Sequence, residues 1–298
     1  MLGGVELGGT KCVCVIGTGP GDIRVRTSLA TGNDPQIALR AVEETLRNGM
    51  SRHGPIRALG IASFGPIDLL HGSPNFGTIT STVKPGWRNT ALAARLGHAF
   101  GVPIGVDTDV NGAALAEGRW GAAAGLDDFA YITVGTGVGV GLVANGCLVH
   151  GFGHPELGHI RIARMAGDTW PGACVFHGDC VEGLASGAAI AARAGMPAYL
   201  LAADSPIWDL AAHALAQLLH AVVLATAPRR ILVGGGVAQE RPQLIGAARR
   251  GLVASLNGYL DLERLAGDID RYVVPPGLGS MAGPLGALAL AEDALQAS

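Results

Sequence analysis

Residues 174–180 carry two cysteines and a histidine in the pattern Cys174-x-x-His177-x-x-Cys180. Two thiolates and an imidazole form a soft ligand set, which favours zinc over a hard cation such as Mg²⁺. A closed tetrahedral site needs a fourth ligand, and His154 and His159 are the candidates upstream. The alternative is a chance spacing of these residues in a loop.

A pair of carboxylates, Asp107 and Asp109, lies where a short strand signal gives way to a helix signal. Two residues apart on an extended chain, the two side chains point the same way. A carboxylate at the end of a strand is well placed to act as a general base. The alternative is a capping role at the helix start for Asp109 or Asn111.

The 47 glycines are concentrated in clusters, two of which lie between strand signals, in VELGGTKCVCVIG (5–17) and FAYITVGTGVGVGLVANG (129–146). No helix signal follows these glycines at once, so neither is a P-loop or a dinucleotide-binding fingerprint. Each segment predicts a hairpin with a threonine in its turn, Thr10 or Thr136. Such a turn can bind phosphate oxygens through its N–H groups, or be a plain glycine hairpin. Two such hairpins suggest duplicated halves.

The bulk composition is that of a globular protein with a large interior rather than a nucleic-acid or membrane protein. The 298 residues are 49% hydrophobic and 15% charged, with a net charge of −3. The apolar runs are too short for a membrane span, and no basic block suggests nucleic acid as a partner. No signal peptide is recognisable, so we expect a cytoplasmic protein without disulfides. We expect Cys12, Cys14 and Cys147 to be buried small residues.

Helix and strand signals alternate along the chain, with the hairpins leading each half. Helices are predicted over 35–49, 90–100, 110–124, 186–196, 206–227, 240–257 and 282–296, and further strands over 57–63, 103–107 and 229–236. This order favours an α/β protein of two similar domains with a cleft between them.

Five motifs together resemble the ROK family of bacterial sugar kinases, and most closely its fructokinase branch. They are ELGGTK (6–11), DTDVNGAALAE (107–117), VGTGVGVG (134–141), HPELGH (154–159) and CVFHGDCVEG (174–183). The resemblance implies two ribonuclease-H-like α/β domains of the actin and hexokinase type, with ATP and sugar meeting in a central cleft. It places one domain over residues 1–117 with 287–298 and the other over 118–286.

The resemblance also implies roles for individual residues. Asp109 would be the catalytic base, and Glu6, where the wider family has Asp, would approach Mg²⁺. The residues expected to bind ATP and its phosphates are Gly8, Gly9, Thr10, Lys11, Thr136, Gly137, Gly235 and Gly236.

For the sugar and the metal, the resemblance assigns residues of the central motifs. Glu156, His159 and Glu182 would bind the sugar, with Asn75 as a less secure contact in the loop 73–87. The fourth zinc ligand would be His159, so the predicted set is His159, Cys174, His177 and Cys180. This zinc would be structural, holding Glu182 and Glu156 against the sugar.

The resulting hypothesis is an ATP- and Mg²⁺-dependent fructokinase that forms homodimers. The alternatives are mannose, glucose or an amino sugar as main substrate, and a sugar-sensing regulator without catalysis. Repressors of this family carry an added DNA-binding module before the first phosphate motif. Here that motif begins at residue 6, which favours the enzyme.

Overall fold

The computed structural model describes residues 1–260 and 269–298, which form two compact units. Unit 1 comprises Met1–Gly125, Leu148–Pro155 and Gly277–Ser298, and unit 2 comprises Leu126–Cys147 and Glu156–Pro276. These units are defined by contacts within the chain. The functional domains expected over 1–117 with 287–298 and over 118–286 stay a prediction.

Unit 1 is built on a five-stranded sheet with helices on both faces. The strands of this sheet are β1 (Leu2–Leu7), β2 (Lys11–Gly19), β3 (Asp22–Ala30), β4 (Leu59–Ser63) and β7 (Ile104–Thr108), while β5 (Thr78–Ile79) and β6 (Thr90–Ala91) form a separate two-stranded sheet. The helices of unit 1 are α1 (Pro35–His53), α2 (Leu92–Phe100), α3 (Asp109–Trp120) and the C-terminal α10 (Ala282–Gln296), which follows a 3₁₀ turn at Gly279–Met281.

Unit 2 repeats this plan. Its strands are β8 (Phe129–Val134), β9 (Val138–Ala144), β10 (Cys147–Leu148), β11 (Arg230–Gly234) and β12 (Val273–Val274). Its helices are α4 (Val181–Ala185), α5 (Gly187–Ala194), α6 (Ile207–Thr226), α7 (Gly236–Glu240), α8 (Pro242–Leu256) and α9 (Ile269–Tyr272), with 3₁₀ turns at Leu157–His159 and Ala198–Leu200.

The two sheets have the same topology, as the paired glycine hairpins predicted. The orders are β3-β2-β1-β4-β7 and β10-β9-β8-β11-β12. In each sheet the first hairpin is antiparallel, and the strands that follow it on the other side are parallel. This is the ribonuclease-H-like arrangement, so the predicted fold class, α/β with two such domains, is confirmed.

The helix α1 shows how local sequence sets an element. The Asp34 side chain accepts hydrogen bonds from the amides of Gln36 and Ile37, and Pro35 opens the first turn. Gly54 ends the helix. The buried positions on α1 are Ala38 and, at intervals of three to four residues, Leu39, Val42, Leu46 and Gly49. That spacing places one apolar stripe on the sheet, where each buried leucine contributes roughly 1.5–3 kcal/mol.

The opposite face of the unit 1 sheet is covered by the C-terminal helix. In α10 the ten residues from Ala282 to Ala291 are all buried, and the helix packs on β1, β4, β7 and α3. Alanine and glycine dominate this stretch, which allows a close approach between helix and sheet. A segment from the end of the chain therefore completes the core that the first residues begin.

In unit 2, α6 packs against α4 and α8. By length and composition α6 could cross a membrane, the one such helix among the described residues, but half of its 20 residues are buried within the protein. Its burial is that of a core helix. The cysteine predictions hold for Cys12 and Cys14, which are buried, and were wrong for Cys147, which is exposed as the first residue of β10.

A buried carboxylate ties together three parts of unit 1. Glu117 of α3 is fully buried. Its Oε2 accepts from the amides of Ala122 at 2.7 Å and Gly277 at 2.9 Å, and its Oε1 from the amide of Leu278 at 2.8 Å. The end of α3, the turn that follows it and the approach to α10 are thus fixed by one side chain.

We expect Glu117→Ala to lower the free energy of unfolding by about 3 kcal/mol or more, because it leaves three amides without an acceptor in a buried place. Urea denaturation followed by circular dichroism measures this. The control is Glu292→Ala, which removes a partly exposed carboxylate from an ion pair with Arg119 and should cost about 1 kcal/mol or less. Equal losses in the two variants would contradict this role of Glu117.

Candidate active site and metal centre

The carboxyl ends of the parallel strands of unit 1 carry acidic side chains in one row. Glu6 of β1 pairs with Ala62 of β4, and Ala62 pairs with Asp107 of β7. Residues in register across parallel strands point to the same face. The pKa of Glu6 is raised to about 7, first by burial and then by the charge of Asp109. The charge of the predicted base, Asp109, thus contributes to the raised pKa of Glu6, the carboxylate predicted to approach Mg²⁺.

Asp109 is the first residue of α3, directly after β7. The helix cap is Thr108, whose hydroxyl accepts from the amide of Asn111 at 3.1 Å. The alternative that Asp109 or Asn111 caps the helix is therefore wrong. The Asp109 Oδ1 accepts from the amide of Val110 at 2.9 Å, while burial raises the pKa of this carboxyl to about 6. A base with a pKa close to working pH suits proton removal from a hydroxyl.

Asp107 belongs to a polar network that sequence reasoning missed. Its carboxylate accepts from the Asn111 side-chain amide at 2.7 Å and lies 2.9 Å from the Nε2 of His150. The hydrogen bond to Asp107 raises the pKa of His150. The Oδ1 of Asn111 is buried and has no hydrogen-bond partner among the described residues. The two histidines of HGFGH (150–154) were the available signal for this network.

His154, the open alternative for the metal, has a different partner. Its Nε2 accepts a hydrogen bond from the amide of Ile67 at 3.1 Å, in the loop after β4. Burial lowers the pKa of this histidine. The neutral ring of His154 thus holds the loop that contains Ile67. Among the described residues, the cluster of candidate metal ligands contains His159 and not His154.

The first predicted phosphate turn, residues 8–10, connects β1 and β2. The amide of Gly8 donates to the carbonyl of Lys11 at 3.0 Å. The buried Thr31 fixes the turn from the side, because its hydroxyl donates to the Gly8 carbonyl and its amide to the Thr10 carbonyl. The turn itself, including Gly9, Thr10 and Lys11, is exposed.

The second predicted phosphate turn, residues 135–137, connects β8 and β9 in unit 2. The amide of Gly135 donates to the carbonyl of Gly137 at 2.9 Å, and Thr136 at its tip is exposed. Gly235 begins α7 with a φ of +90°, next to the backbone of Val134. The predicted adenosine residues Gly235 and Gly236 thus lie beside the strand that leads into the turn.

Four ligand atoms converge in the metal candidate of unit 2. The donors of His159, Cys174, His177 and Cys180 all lie within 4.8 Å of one another. The Nδ1 of His159 lies 3.6 Å from the sulfur of Cys174 and 3.6 Å from that of Cys180, and the Nδ1 of His177 lies 3.7 Å from the sulfur of Cys174. Tetrahedral bonds of about 2.0–2.3 Å imply a nitrogen–sulfur separation of about 3.6 Å. The donor set therefore fits a tetrahedral ion.

The predicted sugar-binding residues of unit 2 lie around this cluster. The Nε2 of His159, on the ring edge away from the sulfurs, is 3.8 Å from the Oε1 of Glu182. Glu182 follows Cys180 by two residues in α4, and Glu156 is exposed at the start of the 3₁₀ turn that ends at His159. Asn75 belongs to unit 1, where it is exposed in the turn before β5.

The comparisons with known proteins agree with this architecture. Residues 2–294 match the family model described as ROK family. A relative from Bacillus subtilis is 43% identical over 299 residues, covering 100% of this chain and 97% of the relative. The fructokinase of Pediococcus pentosaceus is 38% identical over 296 residues, covering 99% of both chains.

A solved structure adds a liganded relative. The ROK family glucokinase of Streptomyces griseus, in complex with glucose and AMPPNP, superposes with a TM-score of 0.77 at 26% identity, covering 98% of this chain and 99% of that one. Family match, sequence identity and fold all cover essentially the whole chain. The protein belongs to the ROK family.

Proposed function

We propose that the protein transfers the terminal phosphoryl group of ATP to the 6-hydroxyl of fructose. The observation that carries this proposal is Asp109, a carboxylate at the end of β7 with a pKa raised to about 6. It stands in the D-x-N motif of a chain that is 38% identical to a fructokinase over nearly its full length. The polar turns at 8–10 and 135–137 supply the phosphate-binding chemistry.

The mechanism assigns each group one task. Ionised Asp109 accepts the proton of the sugar hydroxyl as the hydroxyl oxygen attacks the terminal phosphorus of ATP, whose bond to the bridging oxygen breaks to release ADP. Phosphoryl transfer depends mainly on positioning and charge neutralisation. The backbone amides of the two turns, with Thr10, Lys11 and Thr136, bind phosphate oxygens, and Gly235 and Gly236 approach the adenosine. Mg²⁺ bound with ATP neutralises phosphate charge, and Glu6 is the carboxylate that would approach it or its waters.

Sugar recognition falls to hydrogen-bonding side chains. Glu156, Glu182 and His159 offer acceptors and a ring nitrogen to adjacent sugar hydroxyls, with Asn75 as a further contact. One carboxylate can bridge two neighbouring hydroxyl donors. A site of this kind discriminates strongly against analogues that lack those hydroxyls.

The metal site is proposed to hold zinc in a structural role. Two thiolates and two imidazoles fill a tetrahedral shell, and they prefer zinc to hard cations. Bound zinc cross-links the loop 174–180 to the 3₁₀ turn 157–159. The chain's own residues thereby keep Glu182 and Glu156 in fixed positions. Homodimer formation stays a prediction from the family resemblance.

A coupled assay across hexoses tests the substrate. We expect kcat/KM for fructose to exceed that for mannose, glucose and glucosamine by about tenfold or more. The glucokinase of Streptomyces griseus, which resembles this chain in fold and sequence, makes glucose the alternative. A higher kcat/KM for another hexose would replace fructose as the main substrate, and absence of phosphorylation of every hexose would refute the kinase.

The base assignment is tested by Asp109→Asn, which keeps the shape but cannot take a proton. We expect kcat to fall by about 10³-fold, with the fructose Kd changed by less than about threefold. In the unmodified enzyme, kcat/KM should fall as pH drops through about 6, because only ionised Asp109 is a base. A variant with full activity, or a profile flat from pH 7 to 5, would contradict the assignment.

The metal proposal is tested by Cys174→Ser, with Cys147→Ser as the matched control. Cys147 is exposed and lies outside the ligand cluster. We expect about one zinc per chain in the unmodified protein and in the control, and loss of zinc in Cys174→Ser. The fructose KM should then rise about tenfold or more, without rescue by Mg²⁺. A zinc-free protein with normal fructose affinity would contradict the structural role.

A further inference from the structure

The turn 135–137 of unit 2 and the first residue of β9, Val138, are held by the same segments that carry the metal cluster. The feature of interest is the side chain of Glu182, which faces two ways. Its Oε1 lies 3.8 Å from the Nε2 of His159, and its Oε2 accepts a hydrogen bond from the backbone amide of Val138 at 3.0 Å. One carboxylate thus connects a metal-binding histidine to the end of the phosphate turn.

The contact between Glu182 and the turn is close. A Cβ added at Gly137 would lie 2.5 Å from the Oε2 of Glu182, nearer than real Cβ atoms approach an oxygen. Glycine at this position therefore lets the carboxylate lie directly under the turn. The Val138 amide, which donates to Glu182, is the next N–H along the chain after those of Thr136 and Gly137.

Two further backbone contacts hold the same turn. The amide of Gly187, at the start of α5, donates to the carbonyl of Gly135 at 2.7 Å. From the 3₁₀ turn 157–159, Gly158 packs so closely that an added Cβ would be 1.9 Å from the carbonyl oxygen of Val138. The turn is thus held at both ends. Of the three contacts described, the Glu182 bond is the one made by a side chain.

We propose that Glu182 is a positioning residue for the nucleotide-phosphate turn, in addition to any contact with sugar. By accepting from the Val138 amide, it fixes the direction of the preceding N–H groups, which are the donors proposed to meet phosphate. This inference rests on the proposed function of the turn 135–137. It implies that nucleotide affinity depends on Glu182 even when no sugar is bound.

The direction in which nucleotide affinity changes when Glu182 is replaced distinguishes a positioning role from charge repulsion alone. A carboxylate beside a phosphate site repels the anion, so removing its charge alone should strengthen nucleotide binding. Removing its hydrogen-bond acceptor should weaken binding instead, because the turn loses its fixed geometry. A role confined to sugar contact predicts no change in the absence of sugar.

The experiment compares Glu182→Met, which cannot accept the bond, with Glu182→Gln, which can. The Kd of AMP-PNP with Mg²⁺ is measured by calorimetry without fructose. We expect Glu182→Met to raise it about tenfold, and Glu182→Gln to leave it within about threefold of the unmodified protein. An unchanged or lower Kd in Glu182→Met would overturn the inference.

Two controls complete the design. If the unmodified protein binds no AMP-PNP, the proposed kinase function fails. Equal binding by all three proteins would instead overturn only the positioning role of Glu182. If Glu182→Met does not fold, hydrogen exchange on the ligand-free unmodified protein and on Glu182→Gln replaces the calorimetric test. The Val138 amide should be protected in the unmodified protein and exchange faster in Glu182→Gln, which accepts the bond more weakly. An unprotected Val138 amide in the unmodified protein would overturn the inference.

Discussion

The register of three parallel strands determines the chemistry of unit 1. Because β1, β4 and β7 run in the same direction, their carboxyl ends meet at one edge of the sheet. Glu6 and Asp107 lie in one row with Ala62 between them, and Asp109 follows at the start of α3. Carboxylates gathered at one edge and removed from water hold their protons more strongly. The raised pKa values of Glu6 and Asp109 follow from this placement.

Unit 2 uses the same topology for a different purpose. Its corresponding hairpin turn, 135–137, is supported by the segment that follows the proposed zinc ligands Cys174, His177 and Cys180. Four donor atoms at tetrahedral separations bring the 3₁₀ turn 157–159 and the helix α4 together. Both elements then contact the backbone of Val138. The proposed zinc would order this short irregular segment, which has little apolar area of its own to bury.

Much of this arrangement could be predicted from the sequence, because its signals are local. The hairpins, the apolar stripe of α1, the strand before Asp109 and the cysteine spacing each depend on neighbouring residues. The contacts that could not be predicted join distant parts of the chain. His150 reaching Asp107, His154 accepting from Ile67 and Glu182 accepting from Val138 depend on how segments fold back. The capping alternative named Asp109 or Asn111 and not Thr108, because Asp, Asn and Thr all serve that role, and only backbone geometry distinguishes them.

The burial of Glu117 has a consequence for the order of synthesis. Its partners Gly277 and Leu278 lie 160 and 161 residues after Glu117 in the sequence, so they and the helix α10 that follows them are translated long after α3. Until then, the face of the first sheet that α10 covers has no partner, although all strands of that sheet already exist. The second unit, whose described residues all lie before position 277, can complete its fold earlier. The unit that carries the proposed base therefore completes its fold last, although its synthesis begins first.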